Sequence, residues 1–139
     1  MSFQKTYPVI HGNYAEAGTA SADIKRALRQ LGVHSDVLRR VSVASYEAEL
    51  NMVIHSLGGE LSVDVDAHRI QLCTQDRGPG IADIPRAMKE GYSTADEQAR
   101  DLGFGAGMGL PNMKRNADQF DITSEMGVGT QVRMLFTLS

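Results

Sequence analysis

The sequence predicts an α/β two-layer sandwich: a mixed, mainly antiparallel sheet with helices on one face. Three observations predict it. Apolar residues recur at helical spacing through the first third of the chain. Strict two-residue alternation then marks a hairpin and, near the C-terminus, a second strand pair. Between the two hairpins lies a loop of about 30 residues, Gly78 to Gly109, with little periodicity.

Residues 3 to 10 read as an edge strand, because Pro8 cannot donate to a ladder. Ile24, Ala27, Leu28 and Leu31 fix a first helix from Ser21 to Leu31, stopped by Gly32. Ser35 is placed to cap a second helix, whose stripe is Val37, Val41, Ala44 and Ala48 and which runs to about His55. Leu61, Val63 and Val65, then Ile70, Leu72 and Thr74, make residues 61 to 75 a hairpin. A short helix is expected near Asp83 to Glu90, and another from Leu110 to Ala117. Phe120 and Ile122, then Val132, Met134 and Phe136, are the last two strands, joined across "EMGVGT".

The 139 residues fit one domain, 1–139, with room for a core that needs no disulfide or metal staple. A single cysteine, Cys73, leaves no internal disulfide and suits a reducing cytoplasm. A net charge of −3, without a basic run, argues against binding nucleic acid by phosphate neutralisation. No apolar stretch reaches the roughly 20 residues needed to span a bilayer, and "MSFQKTYPVI" lacks the apolar core of a secretion signal. The expectation is a cytoplasmic protein with no membrane and no nucleic-acid partner.

Three features carry chemistry. Glu47 and Asn51 in "YEAELN" lie four residues apart, hence on one helix face. Solvated polar residues would have the same spacing. Glu49, two positions from each, is expected to face water. Asp76 in "TQDRGPG" ends an alternating strand. Ordinary turn chemistry accounts for it, but so does a carboxylate reading the amine of an adenine while Gly78 and Gly80 let backbone approach a planar ligand. Gly103, Gly105, Gly107 and Gly109 alternate in "GFGAGMGL" just before a helix. They could form a flexible linker, or a cradle of backbone N–H groups for phosphates. The spacing fits neither the G-x-x-x-x-G-K-[ST] loop nor G-x-G-x-x-G.

Taken together, these residues resemble the ATPase superfamily shared by gyrase, a heat-shock chaperone, histidine kinases and mismatch-repair proteins. "YEAELN" is similar to its E-x-x-x-N box, "DRGPG" to D-x-G-x-G, "GFGAGMGL" to the second glycine box and "GVGT" to the motif before the last strand. Within the superfamily the chain most resembles the bacterial anti-sigma-factor serine kinases and the stressosome switch kinase, on "IADIPRAMKEGYST" and "GLPNMKRNADQF".

The resemblance implies a Bergerat-type ATP-binding fold with an ATP lid over about residues 81–109. It implies ATP and Mg²⁺ as cofactors and gives each residue a role. Glu47 is the general base, Asn51 holds the metal, Asp76 bonds adenine and Thr130 supports that contact. Gly78 and Gly80 shape the adenine pocket, while Gly105, Gly107 and Gly109 cover the phosphates. His55 matches a histidine of some relatives and is read as structural. Two departures, the long charged "ADEQARDLGF" and Tyr46 ahead of Glu47, bear on the protein partner rather than the nucleotide.

The expected activity is transfer of phosphate from ATP to a serine on a small antagonist domain of the STAS type. A sigma factor or a phosphatase is the other kind of partner, and a homodimer is one expected state. The rival reading is an ATP-gated module that sequesters such a partner without turnover. The detached catalytic half of a histidine kinase ranks last, because the chain carries no second domain with an acceptor histidine.

Overall fold

The structure is a computed structural model and describes residues 2–81, 83–89 and 109–138. Strand β1 (Phe3–Val9) leads through a 3₁₀ turn (Tyr14–Glu16) into helices α1 (Thr19–Gln30) and α2 (Ser35–His55). The hairpin β2 (Gly59–Val65) and β3 (Arg69–Asp76) follows, then α3 (Ile84–Ala87), α4 (Gly109–Asn116) and the hairpin β4 (Gln119–Glu125) and β5 (Gly129–Thr137). The strands form a five-stranded sheet in the order β1-β2-β3-β5-β4. All its pairings are antiparallel. The expected two-layer sandwich is the fold found, with the N-terminal strand at an edge.

Alternation along each strand sorts the sheet into a wet face and a buried one. Register then stacks the buried residues into rows across the strands. Phe3, Val65, Ile70 and Phe136 form one row, and Val63, Leu72, Met134 and Phe120 the next. Tyr7, Leu61, Thr74, Val132 and Ile122 form the third. A fourth row closes the sheet and is polar: Gly59 lies opposite Asp76, and Ser124 opposite Thr130. Helix α2 lies against β1, β2 and β3, with α1 and α4 packed on it. Its predicted stripe of Val37, Val41, Ala44 and Ala48 is buried.

Two helix starts differ from expectation. The cap of α2 is His34, whose Nδ1 accepts from Asp36 N at 3.2 Å, so Ser35 is the first helical residue and not the cap. Helix α1 begins at Thr19, ahead of the predicted Ser21, and its N-cap Gly18 offers no side chain. Glu49 supplies what is missing. This residue, expected to face water, is 4 % exposed and accepts from Ala20 N at 3.1 Å and Ser21 N at 2.9 Å. A helix N-terminus presents unsatisfied N–H groups and partial positive charge, and a carboxylate from the neighbouring helix answers both. Glu49→Ala is therefore expected to cost about 2 kcal/mol by orphaning two buried donors. Urea unfolding checks it, with Glu49→Gln expected to lose less.

Candidate functional site

Glu47 and Asn51 sit one turn apart on α2, both half-buried. The first turn of α4 closes over the carboxylate. Asn112 Nδ2 lies 3.5 Å from Glu47 Oε1, and a methyl group placed on Gly109 would come within 3.4 Å of Oε2. Burial raises the affinity of the Glu47 carboxyl for its proton, while the Asn112 hydrogen bond works against that shift. Glu47 is thus half-buried, with no ion pair among the described residues and with burial raising its proton affinity, which are the conditions under which a carboxylate can accept a proton.

The second cluster is the polar fourth row. Asp76 Oδ1 accepts from Thr130 N at 2.9 Å, which engages one of its two oxygens. Burial pushes this carboxyl up too, with the Thr130 bond opposing. The Thr130 hydroxyl turns to Ser124 Oγ at 2.9 Å, and Ser124 in turn accepts from Ile81 N at 2.8 Å. Thus Thr130 reaches Asp76 through its backbone, and Ser124 carries the network to the chain after Gly80. Ser124 was not apparent from the sequence, where it is one more polar residue on an alternating strand.

The glycines have distinct causes. Gly80 has φ +80°, and a Cβ there would stand 2.7 Å from Glu125 O, so backbone approach requires glycine. Gly78 has no such constraint: its Cβ would meet Ser56 Cα at an ordinary 3.4 Å. It is buried and donates to Val128 O at 3.2 Å. Gly59 and Gly129 flank the end of β3 from either side, where added methyl groups would fall 2.3 Å from Gln75 O and 2.0 Å from Asp76 O. Gly103, Gly105 and Gly107 lie outside the described residues, as does most of the expected lid.

The two clusters are joined through the end of α2. Leu57 N donates to Arg77 O at 2.7 Å and Arg77 N to Gly58 O at 2.9 Å, which docks the helix terminus onto the strand that carries Asp76. Ser56 anchors that terminus, donating to Met52 O at 2.6 Å and accepting from Gly58 N at 2.9 Å. His55 is the half-buried last residue of α2.

A cleft of about 400 Å³ opens elsewhere, between β1 and α1. Its Asp23 is already engaged, by Lys5 at 3.0 Å, Arg26 at 3.0 Å and the Tyr7 hydroxyl. Among the described residues, Glu47 and Asp76 are by contrast half-buried carboxylates with no ion-pair partner.

Among the described residues no group of three or more His, Cys, Asp or Glu could hold a metal by itself. Mg²⁺ needs no such cage, since it arrives with phosphates and water and takes one or two protein oxygens. The amide oxygen of Asn51, half-buried one helical turn from Glu47, is a donor of that kind. No helix among the described residues is long and apolar enough to cross a membrane.

The chain is 29% identical over 115 residues to a serine/threonine-protein kinase, RsbT, of Bacillus subtilis (strain 168), covering 80% of each chain. It is 31% identical over 113 residues to an anti-sigma F factor of Pasteuria penetrans, covering 76% of this chain and 72% of that one. An anti-sigma F factor of Thermoanaerobacter sp. (strain X514) is 30% identical over 110 residues, 76% of this chain and 73% of its own. Residues 11–136, which span both carboxylates, α4 and all but the last residue of the second hairpin, match the model of the histidine kinase-like ATPase domain, and the chain belongs to that family.

Proposed function

We propose that the protein is an ATP-dependent serine protein kinase of a cytoplasmic partner-switching system, acting on a small antagonist domain of the STAS type. The observation that carries this reading is Glu47: a half-buried carboxylate with a raised proton affinity, one turn from Asn51 and closed over by α4. The name of the Bacillus subtilis relative supports it.

The whole of residues 1–139 would serve as one kinase domain, with residues 81–109 as its lid. Asp76, supported by Thr130 and shaped by Gly78 and Gly80, would take the adenine amine. Gly105, Gly107 and Gly109 would face the phosphates. Asn51 would hold Mg²⁺, which supplies charge neutralisation on the phosphates when bound. Phosphoryl transfer leaves the protein mainly positioning and electrostatics. The acceptor serine oxygen forms its bond to the γ-phosphorus as the bond to the bridging oxygen breaks, ADP leaves, and Glu47 accepts the hydroxyl proton before passing it to water.

Asp76→Asn is expected to weaken ATP by roughly thirtyfold, about 2 kcal/mol for a charge-assisted hydrogen bond, and a guanine nucleotide by less. Calorimetry with both nucleotides checks it, and equal affinities would return Asp76 to turn chemistry.

The reading itself is tested by phosphotransfer from γ-labelled ATP with Mg²⁺ into a cytosolic extract of the source organism. Acid-stable phosphoserine on a STAS-type protein, absent with Glu47→Gln, is the expected result. The anti-sigma F names among the relatives favour a second reading, an ATP-gated module that sequesters a sigma factor. ATP binding without any Glu47-dependent label would favour that one.

A further inference from the structure

We propose that Asn112 is the positioning residue of Glu47, with its amide locked by Arg115, so that the helix following the lid sets how the base presents its carboxylate. The inference rests on the reading of Glu47 as a general base. Its geometry runs through three side chains on the exposed end of α4 and one on α2.

Arg115 Nη1 donates to Asn112 Oδ1 at 3.0 Å. A guanidinium has donors only, so it fixes which end of the amide faces it. The amide nitrogen is thereby left on the other side, 3.5 Å from Glu47 Oε1. Asn116 Nδ2 donates to Asn112 O at 2.8 Å, which steadies the backbone of the same turn. A 3.5 Å separation is long for a finished bond, and catalytic hydrogen bonds commonly tighten once substrate is in place.

Among the described residues no other side chain hydrogen-bonds the Glu47 carboxylate. Gly109, one turn earlier on α4, brings only backbone to Oε2. Lys114 is exposed. On α2, Glu49 is committed to the first turn of α1, and Arg40 to Asp36, Asn116 O and Asp118. Burial and Asn112 are the influences that act on the Glu47 carboxyl, and of the two only Asn112 favours its ionised form.

The consequence is directional. Without the Asn112 donor the ionised carboxylate loses support, so Glu47 binds its proton up to a higher pH. An aspartate at the same place adds like charge and moves it further in the same direction. Arg115 acts one step removed, by releasing the amide to rotate.

The test is a carbon-detected NMR titration of the Glu47 side chain in the ATP-free protein, paired with pH–rate profiles. Asn112→Ala should raise the Glu47 midpoint by about 0.5–1 in pH, the scale of one modest hydrogen bond. Asn112→Asp should raise it more, and Arg115→Ala, on an exposed side chain, should raise it less. The acid limb of the kcat profile should move by the same amount, with kcat at neutral pH down roughly threefold to tenfold and the KM for ATP held. An unchanged Glu47 midpoint in folded Asn112→Ala or Arg115→Ala overturns the proposal. The titration needs no turnover, so a wild-type protein without Glu47-dependent phosphotransfer counts against the kinase reading while the midpoint alone decides the role of Asn112.

Discussion

Glu47→Gln is expected to lower phosphotransfer by about 10²–10⁴-fold while ATP affinity stays near that of the wild type. Glutamine keeps the shape and an oxygen for Asn112, but it cannot take a proton from an attacking hydroxyl. The loss should fall on kcat, since the base acts only as the proton leaves. A stability change should accompany it, in the opposite direction. The folded-state proton affinity of Glu47 lies above its unfolded value. Between those two values the folded chain holds the extra proton, and above the folded value it must carry a half-buried charge. That residue therefore contributes less stability as pH rises, and at neutral pH its charge is a net cost. Removing the charge should raise Tm, with the gain shrinking as pH falls through the folded value and gone below the unfolded one. Activity and melting measured together decide the matter: unchanged turnover would remove Glu47 as the base, and a lower Tm would show that the carboxylate is structural.

Gly129→Ala should be the most damaging small substitution, with a loss of about 3 kcal/mol or more. An alanine methyl there would sit 2.0 Å from Asp76 O and 3.0 Å from Asp76 C, with φ at +157°. Neither atom belongs to a side chain that can swing aside, so β5 must part from β3. The first bond to suffer is Thr130 N to Asp76 Oδ1, which stands next in the chain. Stability and nucleotide affinity should therefore fall together. Gly127→Ala is the matched control. Its φ of +78° also disfavours alanine, but nothing stands within 4 Å of the added methyl. It should lose only the conformational share, about 1–2 kcal/mol, and leave nucleotide affinity alone. Equal losses in the two variants, by urea midpoint, would mean that the close approach at Gly129 is relieved cheaply.

Much of this was legible in the chain. Alternation placed the four strands of the two hairpins on the correct face, because one-sided burial enforces a period of two, and the stripe of α2 located that helix, though its start lies one residue before the expected one. Glu47, Asn51 and Asp76 stood out because each is a polar residue that interrupts or ends an apolar pattern, and the structure finds all three half-buried. Glu49 was misread by the same reasoning. A buried charge looks like a solvated one until its partner, here the start of α1, is known. The spacing of Ser45, Glu49 and Val53 with buried Val41 was the available signal. His34 escaped because an imidazole caps less often than the serine beside it. Ser124, Gly59 and Asn112 act across strands or helices far apart in sequence, and no local pattern encodes a register.

Helix α2 carries its two working carboxylates two positions apart with opposite fates: Glu49 answered by two N–H donors, Glu47 left without a counter-charge. The group that fastens the layers and the group suited to chemistry are thus separable by mutation. A lineage descending from such a protein could lose the second in a single codon change and keep the first, leaving an intact scaffold free of turnover. On the kinase reading proposed above, the distance from enzyme to pseudoenzyme is one side chain, and selection on stability would not oppose the step.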